Sequence, residues 1–272
     1  MAIHNYHASH RRTITFRKWD NAQNKLRAYT PTCQLNVGVE LEVDEFRNYN
    51  ADSTSDKVDI LMGNLATCEY DGSLHNGFEI ITQPATVEAF IKGFKVDELC
   101  ALLDENGAKS HDTEKAGLHV HVSRAALGQS ERARDMVCAK ILVLMDKFES
   151  QLIKFARRDY TRNGYCCKYS GFNADGENST TKLLEKYKPC KESGDRYHSL
   201  NLTNEATIEF RIFRGTLNPL ALKATVLLCE TLVRYCMEHT TPQVQACTWI
   251  DLIAACPKPE LREYCAKRGI VA

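Results

Sequence analysis

Apolar and polar residues alternate along several short segments of the chain, which is the pattern of β-strands with one buried face. The clearest example is VGVELEVD at residues 37–44, where valine and leucine occupy every odd position and acids occupy the even positions after Gly38. Similar alternation, or a β-rich composition, predicts further strands at residues 78–82, 117–123, 197–202 and 206–214.

Between and after these strands, apolar residues recur at the spacing of helices with one buried face. Helices are predicted over residues 54–66, 87–106 and 131–155. Three more are predicted to begin at Asn218, Thr248 and Pro259, because these residue types are favoured at helix starts. This order of elements indicates an α+β fold, in which helices back a curved, largely antiparallel sheet.

Two stretches of the chain are polar and show neither pattern. Residues 1–32 are basic and are predicted to form an N-terminal arm, either poorly ordered or an edge strand. Residues 159–196 contain scattered glycine and proline and are predicted to be a long loop or lid, since loops of this length are usually functional or disordered. Residues 33–272, including that loop, are interpreted as a single domain.

Composition and charge restrict the class of protein without defining it. The chain has 272 residues, of which 43% are hydrophobic and 26% charged, as in ordinary globular proteins. The 35 basic and 35 acidic residues balance, which argues against a nucleic-acid or membrane partner. No apolar stretch of the sequence is long enough to span a bilayer. Any argument about partners therefore depends on local clusters of charge.

The twelve cysteines favour a reducing compartment over a disulfide framework. No charged segment followed by an apolar one opens the chain, so a secretory signal is not predicted. Cys138, Cys229 and Cys236 fall in predicted helices and are interpreted as small buried apolar residues. The sequence contains no CxxC pair, which argues against a structural zinc site. The expected location is the cytoplasm.

Two predicted strands carry pairs of polar residues on one face. Glu40 and Glu42 lie about 6.6–7 Å apart on the first strand, and a solvated acidic face is the simpler interpretation of this pair alone. His119 and His121 share a face of the strand at 117–123, which is a recurrent arrangement of metal ligands. A single histidine would more often be a hydrogen-bonded polar residue.

The strand at 206–214 carries a third polar set. Glu209 and Arg211 share one face, and as an exposed ion pair they would contribute little to stability. Arg214 lies at the end of this strand. Glu79 is a single acid in the otherwise apolar strand FEIIT.

Taken together, these polar sets indicate a cation-binding site. If the faces meet, several carboxylates crowd together, and they raise one another's pKa unless cations compensate. Carboxylate and imidazole ligands suit Mg²⁺ or Mn²⁺. Arginines beside such a site suit phosphate oxygens, because a guanidinium group can donate two parallel hydrogen bonds. The residues alone therefore predict a metal-dependent site for a phosphorylated ligand.

The order of four motifs resembles a known family. The motifs GVELEVD, DGSLHNGFEIITQPAT, GLHVHVS and NLTNEATIEFRIFRGTLNP are similar to those of the amidoligases. This family belongs to the carboxylate–amine ligase superfamily, together with glutamine synthetase and glutamate–cysteine ligase. The resemblance covers roughly residues 36–236. It implies a sheet curved into a glutamine-synthetase-like partial barrel, with the active site on its concave face.

The resemblance also implies roles for individual residues. The implied catalytic residues are Arg211, Arg214 and His121. The two arginines match positions expected on the phosphates of ATP or of an acyl-phosphate, and His121 matches a position beside the metal ligands or the substrate. Asp71 and Asn201 match further positions, here assigned to substrate contact. The implied metal ligands are Glu40, Glu42, Glu79, His119 and Glu209.

The implied activity is ATP- and Mg²⁺-dependent amide-bond formation. ATP phosphorylates a carboxylate, and an amine then displaces phosphate, so that catalysis is mostly positioning and charge neutralisation. The acid and the amine stay open among amino acids, peptides and proteins. A basic stretch that includes Arg158 and Arg162 either closes over the phosphates or is a solvated helix end. Alternative functions are a guanidino or carboxylate kinase, a metal-dependent hydrolase, and a non-catalytic binding protein.

Overall fold

The computed structural model describes residues 3–4, 13–46, 50–111, 113, 115–159, 166–172 and 179–271. The strands in this part of the chain are β1 (Ile3–His4), β2 (Arg17–Asp20), β3 (Lys25–Ala28), β4 (Val37–Val43), β5 (Ala66–Glu69), β6 (Phe78–Thr82), β7 (Gly117–Ser123), β8 (Leu200–Asn201) and β9 (Thr207–Arg214).

The helices are distributed along the whole described chain. They are α1 (Ala51–Met62), α2 (Val87–Gly93), α3 (Val96–Glu105), α4 (Glu131–Lys147), α5 (Glu149–Ala156), α6 (Thr180–Glu192), α7 (Pro219–Glu238), α8 (Thr241–Ala246), α9 (Trp249–Ala254) and α10 (Pro259–Lys267). Short 3₁₀ turns follow α1 at Gly63–Leu65 and β7 at Arg124–Leu127.

Seven of the described strands form a mostly antiparallel sheet, in the order β1-β5-β6-β4-β7-β9-β8. The pairs β5–β6, β6–β4 and β9–β8 are antiparallel, whereas β1 runs parallel to β5. Strands β2 and β3 form a separate antiparallel hairpin. The prediction of helices combined with a largely antiparallel sheet is confirmed. The curved, glutamine-synthetase-like form of that sheet stays a prediction.

The chain divides into two compact units. The first comprises Met1–Val120 and Arg214–Lys223, and the second comprises His121–Phe213 and Ala224–Ala272. The predicted division into an arm at 1–32 and a single domain at 33–272 stays a prediction.

In the first unit, the apolar faces of β4 and β6 pack on α2 and α3. Leu41 and Ile80, which are directly paired across the two strands, line a small apolar cavity together with Phe90, Phe94 and Leu99. All five side chains are buried, and each contributes roughly 1.5–3 kcal/mol through the hydrophobic effect. Because side chains alternate along a strand, this packing directs the even-numbered residues of β4 to the other face of the sheet.

In the second unit, a helix packs against the end of β9, and the Arg124 side chain fixes the β8–β9 turn. The ring of Phe155 packs edge-on against Phe213 and Tyr264, with centroids 6.1 and 4.8 Å away. The Arg124 guanidinium donates to the carbonyl oxygens of Leu202 at 2.8 Å and of Thr207 at 3.3 Å. These bonds hold the two ends of the turn in place next to the strand that carries Glu209.

Helix starts follow the capping residues that the sequence indicates. The Ser130 hydroxyl accepts a hydrogen bond from the Ala133 N–H at 3.2 Å, and the Asn218 side chain accepts from Ala221 at 3.0 Å. Thr248 opens α9 with a capping box. The predicted starts at Asn218, Thr248 and Pro259 are therefore confirmed. Asn218 and Thr248 satisfy amide groups that the helix itself leaves unpaired, whereas Pro259 occupies the first turn of α10, where a missing N–H loses no hydrogen bond.

Two predicted helices are each interrupted once. The segment 87–106 forms α2 and α3, because Lys95 takes a left-handed conformation with φ of 49° between them. The segment 131–155 forms α4 and α5, with the break at Phe148. Apolar spacing does not register a break at one residue, since the buried face continues on both sides of it.

The prediction of a loop throughout residues 159–196 is wrong for Thr180–Glu192, which forms α6. Its buried residues Leu183 and Tyr187 are one turn apart. Lys191 also anchors α6 to α4, with Nζ 2.6 Å from Glu131 and 3.0 Å from Asp135. A helix with so few buried residues has little apolar periodicity. Residues 160–165, including the basic candidate Arg162, and 173–178 lie outside the described residues.

The N-terminal residues include an edge strand. Strand β1 pairs Ile3 with Cys68 and His4 with Glu69 on β5. The β2–β3 hairpin packs on α2. Residues 5–12, part of the predicted arm, lie outside the described residues.

All twelve cysteines are free, and nine of them are buried, including Cys138, Cys229 and Cys236. This agrees with their interpretation as small apolar residues of the core. None of the helices in the described ranges has both the length and the hydrophobicity needed to cross a bilayer.

Candidate functional site

A row of three glutamates crosses β5, β6 and β4 in the first unit. The strand register pairs Glu69 directly with Glu79, and Glu79 directly with Glu42. Directly paired residues of antiparallel strands project from the same face, and like charges in such pairs are destabilising. The exposed fractions of Glu69, Glu79 and Glu42 are 0%, 5% and 5%. An unusual concentration of acid is therefore buried on one face of this unit.

Two further acids adjoin this row. Glu40 lies two positions before Glu42 on β4 and therefore shares its face. Asp71 follows β5 in the turn that leads to β6. One oxygen each of Glu42, Asp71 and Glu79 lie within 4.8 Å of one another.

The crowding has a direct electrostatic consequence for Glu79. Burial, followed by the negative charges of Glu40, Asp71, Glu42 and Glu69, raises the pKa of Glu79 to about 9. In the metal-free protein this carboxyl group therefore carries a proton at neutral pH. A cation placed among the same oxygens would favour the ionised form instead.

Burial also raises the pKa of Glu42, although two neighbours act in the opposite direction. His119 and the Gly117 N–H, which donates to Glu42 Oε2 at 2.5 Å, lower the pKa. Asp71 and Glu40 raise it. One oxygen of Glu42 is thus held by the backbone.

His119 lies between two of the glutamates. Its Nδ1 is 3.3 Å from Glu40 Oε2, and its Nε2 is 3.9 Å from Glu42 Oε1. The imidazole is almost fully buried. The structure therefore brings Glu40, Glu42, Glu79 and His119, four of the predicted metal ligands, together with Asp71, which was predicted to contact substrate. Their roles stay predictions.

The donor set of this cluster fits a hard divalent cation. Glu42, Asp71 and Glu79 supply carboxylate oxygens, which Mg²⁺ and Mn²⁺ prefer, and the nearby imidazole of His119 is an acceptable ligand for Mn²⁺. The raised pKa of Glu79 also suits a metal site. A bound cation would displace the Glu79 proton and take its place among the carboxylate oxygens.

A buried network of hydrogen bonds holds the backbone of Glu42 and the segment that precedes Gly117. The Ser110 hydroxyl donates to the Glu42 carbonyl oxygen at 2.8 Å, and the Thr113 hydroxyl donates to the Ser110 carbonyl oxygen at 3.1 Å. Thr113 Oγ1 also accepts from the Ala116 N–H at 2.9 Å. This network fixes the segment that ends at Gly117, and hence the backbone donor to Glu42.

Replacing Gly215 by alanine is expected to disrupt this network. A Cβ atom at Gly215 would lie 2.1 Å from the Ser110 hydroxyl oxygen, so that Ser110 must release Glu42. We expect the free energy of unfolding to fall by about 2 kcal/mol, the cost of a broken buried hydrogen bond. Urea denaturation measures this change, with Gly72→Ala as the control, since a Cβ at Gly72 meets nothing within 4 Å. An equal effect of both substitutions would contradict the expectation.

The second unit contains a polar network around Glu209. Strand pairing places Asn201 opposite Glu209, and the Asn201 amide donates to Glu209 Oε2 at 2.7 Å. Asn204 donates to the same oxygen at 3.3 Å, while Arg211 Nη1 donates to Oε1. Both oxygens of this buried carboxylate are thus bonded within the unit.

Arg211 and Arg158 both influence the buried thiol of Cys166. Burial raises the pKa of Cys166, while a hydrogen bond from Arg158 and the charges of Arg158 and Arg211 lower it. Arg211 Nε is buried and has no hydrogen-bond partner among the residues that the structure describes. Two of the predicted phosphate-binding arginines therefore lie in one neighbourhood.

The remaining candidates are His121 and Arg214. The Nδ1 atom of His121 is 3.1 Å from the Thr207 hydroxyl. Arg214 is the last residue of β9, three positions after Arg211, and regular alternation places these two residues on opposite faces of the strand. The catalytic roles of both stay predictions.

The structure adds residues that the sequence alone did not single out. Glu69 is one of them, because the four-residue strand β5 was not predicted, although its sequence ATCE places an acid two positions before Asp71. Gly117 and Asn204 act through hydrogen bonds to Glu42 and Glu209. Gly117 had a visible signal, since it is the first residue of the strand that carries the HxH pair.

The fold and the cluster define a mixed α/β protein with a candidate divalent-metal site, in which Glu42, Asp71 and Glu79 supply oxygen donors. Residues 40–233, more than two thirds of the chain, match the family described as "Putative amidoligase enzyme". The chain therefore belongs to the amidoligase family, as the motif resemblance predicts. No curated protein matches the sequence.

Proposed function

We propose that this protein is an ATP- and Mg²⁺-dependent ligase that joins a carboxylate to an amine through an acyl-phosphate. The observation that carries the proposal is the convergence of Glu42, Asp71 and Glu79 oxygens within 4.8 Å. Carboxylates held this closely favour a divalent cation, and Mg²⁺ commonly accompanies substrate phosphates in such sites. Membership of the amidoligase family supports ligase chemistry.

In this proposal, Glu42, Asp71 and Glu79 hold Mg²⁺ or Mn²⁺, with Glu40 and His119 beside them. The cation would neutralise negative charge on phosphate oxygens. The Gly117 N–H keeps one Glu42 oxygen in place, and His119 Nδ1 lies 3.3 Å from Glu40 Oε2. These contacts orient the metal-binding side chains before the cation or the substrate binds, which reduces the free-energy cost of assembling the site.

Residues of the second unit are proposed to bind phosphate. Arg211 retains a buried Nε donor, and a guanidinium group with a free donor suits an anionic oxygen. Glu209, predicted as a metal ligand, bonds to Arg211 and can orient it, and Asn201 holds Glu209 in turn. Arg158 adds positive charge near Arg211. His121 and Arg214 keep their predicted roles as part of the proposal.

The reaction has two steps. A carboxylate oxygen of the acid substrate attacks the γ-phosphorus of ATP, and ADP leaves. The amine nitrogen then attacks the acyl carbon and loses a proton, and phosphate leaves with the electrons of the C–O bond. The side chains of the site contribute positioning and charge neutralisation rather than covalent chemistry. Amino acids, peptides and protein side chains are the proposed substrate classes.

Phosphate release tests the proposal. Purified protein with ATP, Mg²⁺, and panels of acids and amines should release phosphate above background only when an acid and an amine are both present. Removing Mg²⁺ with a chelator should abolish the release, and mass spectrometry should detect the amide. Silence across amino-acid and peptide panels would count against ligase activity.

The same assay separates the alternatives. A stable phosphorylated product without an amide would indicate a kinase. Cleavage of a substrate without ATP would indicate a metal-dependent hydrolase. Failure to bind either Mn²⁺ or Mg²⁺–ATP by titration calorimetry would favour a non-catalytic binding protein.

A further inference from the structure

Asp44 is a third acid on the polar face of β4, but its contacts differ from those of Glu40 and Glu42. It follows the last residue of the strand and is fully buried. Its Oδ1 accepts a hydrogen bond from the Asn76 N–H at 2.8 Å, and its Oδ2 accepts from the His75 N–H at 3.0 Å. Both carboxylate oxygens therefore bond to the backbone of the 71–77 turn, which carries Asp71.

The end of β4 also packs closely against this turn, in addition to the hydrogen bonds of Asp44. A Cβ atom at Gly77 would lie 2.0 Å from the Val43 carbonyl oxygen, so that only glycine allows this close approach. Asp44 itself is fixed, because its N–H and C=O pair with the C=O and N–H of Lys109 at 2.8 and 2.9 Å. The turn is thus anchored on a rigid support.

Asp71 needs such an anchor. Its carboxylate lies within 4.8 Å of oxygens of Glu42 and Glu79. The negative charges of Asp71 and Glu42 oppose this approach when no cation is bound. The other hydrogen bonds of Asp71 are local: its Oδ1 accepts from the Ser73 N–H and its C=O accepts from the Leu74 N–H. These bonds shape the turn but do not attach it to the sheet.

We propose that Asp44 is a positioning residue that holds Asp71 within reach of the cation bound by Glu42 and Glu79. Asp44 is not one of the acids whose oxygens converge within 4.8 Å, and its own oxygens accept from backbone N–H groups of the turn. The inference rests on the metal site of the proposed function. Glu40 and Glu42 of β4 then face the cation site, and Asp44, which follows the strand, fixes the turn that carries Asp71.

Mn²⁺ affinity measured by titration calorimetry tests the inference. Asp44→Asn replaces one acceptor oxygen by an amide group that cannot accept, and we expect it to weaken Mn²⁺ binding by about tenfold or more. Asp71→Asn should also weaken binding. Because Asp44 acts through Asp71, adding Asp44→Asn to Asp71→Asn should change the affinity by no more than about twofold.

Asp20→Asn is the matched control. Asp20 Oδ1 also accepts from two backbone N–H groups, those of Ala22 and Gln23, but in the separate β2–β3 hairpin. We expect the Mn²⁺ affinity of this variant to equal that of the unchanged protein. Unchanged affinity in Asp44→Asn, or independent losses that multiply in the double variant, would overturn the positioning role.

Hydrogen exchange in the unsubstituted, metal-free protein gives a test that needs no variant. The amide protons of His75 and Asn76 should exchange slowly, because both bond to the buried Asp44 carboxylate. Rapid exchange at both amides would overturn the inference. Normal Mn²⁺ binding without ligase activity would count against the proposed function alone, whereas Mn²⁺ binding insensitive to Asp44 would count against the positioning role alone.

Discussion

Replacing Glu79 by glutamine is expected to stabilise the metal-free protein at pH 8 and to weaken Mn²⁺ binding by about 100-fold. Glu79 is the middle member of the row formed with Glu69 and Glu42. Its burial and the surrounding negative charges raise its pKa from the usual 4.5 to about 9. Glutamine has the shape of the protonated acid but has no proton to lose and offers a poorer ligand to a cation.

The direction of the pH dependence follows from this shift. Between pH 4.5 and about 9, the folded metal-free protein retains the Glu79 proton while the unfolded chain has lost it. The contribution of Glu79 to stability is therefore fully present below pH 4.5 and falls as pH rises toward 9, by up to about 1.4 kcal/mol per pH unit. Glu79→Gln removes this slope, and we expect it to be more stable at pH 8 by about 2 kcal/mol or more.

Urea denaturation at pH 5, 6.5 and 8, with and without Mn²⁺, measures both effects. In the unchanged protein, Mn²⁺ should stabilise more strongly at pH 8 than at pH 5, because at pH 5 it must displace a firmly held proton. Glu98→Gln on the exposed surface of α3 is the control and should behave like the unchanged protein. A Glu79→Gln variant that is less stable than the unchanged protein at pH 8 would contradict the expectation.

The residues of this cluster illustrate what the sequence can and cannot predict. Period-two alternation placed Glu40 with Glu42 on one face, because that inference needs only the local geometry of one strand. The row from Glu69 through Glu79 to Glu42 depends on β6 lying between β4 and β5 in a particular register. Register is set by contacts between segments distant in the sequence, so that no local pattern encodes it.

The missed elements lack the apolar periodicity that sequence prediction uses, for different reasons. Strand β5 has four residues, too few for alternation to be distinguished from chance, and α6 buries few side chains. Lys95 shows the opposite difficulty, since one left-handed residue divides a continuous apolar pattern. Capping residues predicted the starts of helices more accurately. The side chains of Ser130 and Asn218 satisfy helix amides three residues away, so that the sequence contains both partners of the interaction.

Truncating Arg211 to alanine is expected to lower the free energy of unfolding by about 3 kcal/mol. Glu209 is almost fully buried, and Arg211 supplies positive charge that compensates it. Without Arg211, the carboxylate keeps the amide donors of Asn201 and Asn204 but loses the guanidinium charge bonded to its Oε1. A buried charge left in this way destabilises far more than the loss of a surface ion pair.

Urea denaturation of three variants separates the buried charge from the loss of side-chain packing. Glu209→Gln combined with Arg211→Ala should regain at least about half of the lost stability, because it removes the buried charge while the glutamine side chain can still accept from the amides. Arg234→Ala breaks an exposed pair with Glu230 and should cost less than about 0.5 kcal/mol. If Arg211→Ala costs no more than Arg234→Ala, or if Glu209→Gln gives no rescue, Arg211 does not compensate Glu209. The proposal that Glu209 orients Arg211 toward phosphate would then lose its support.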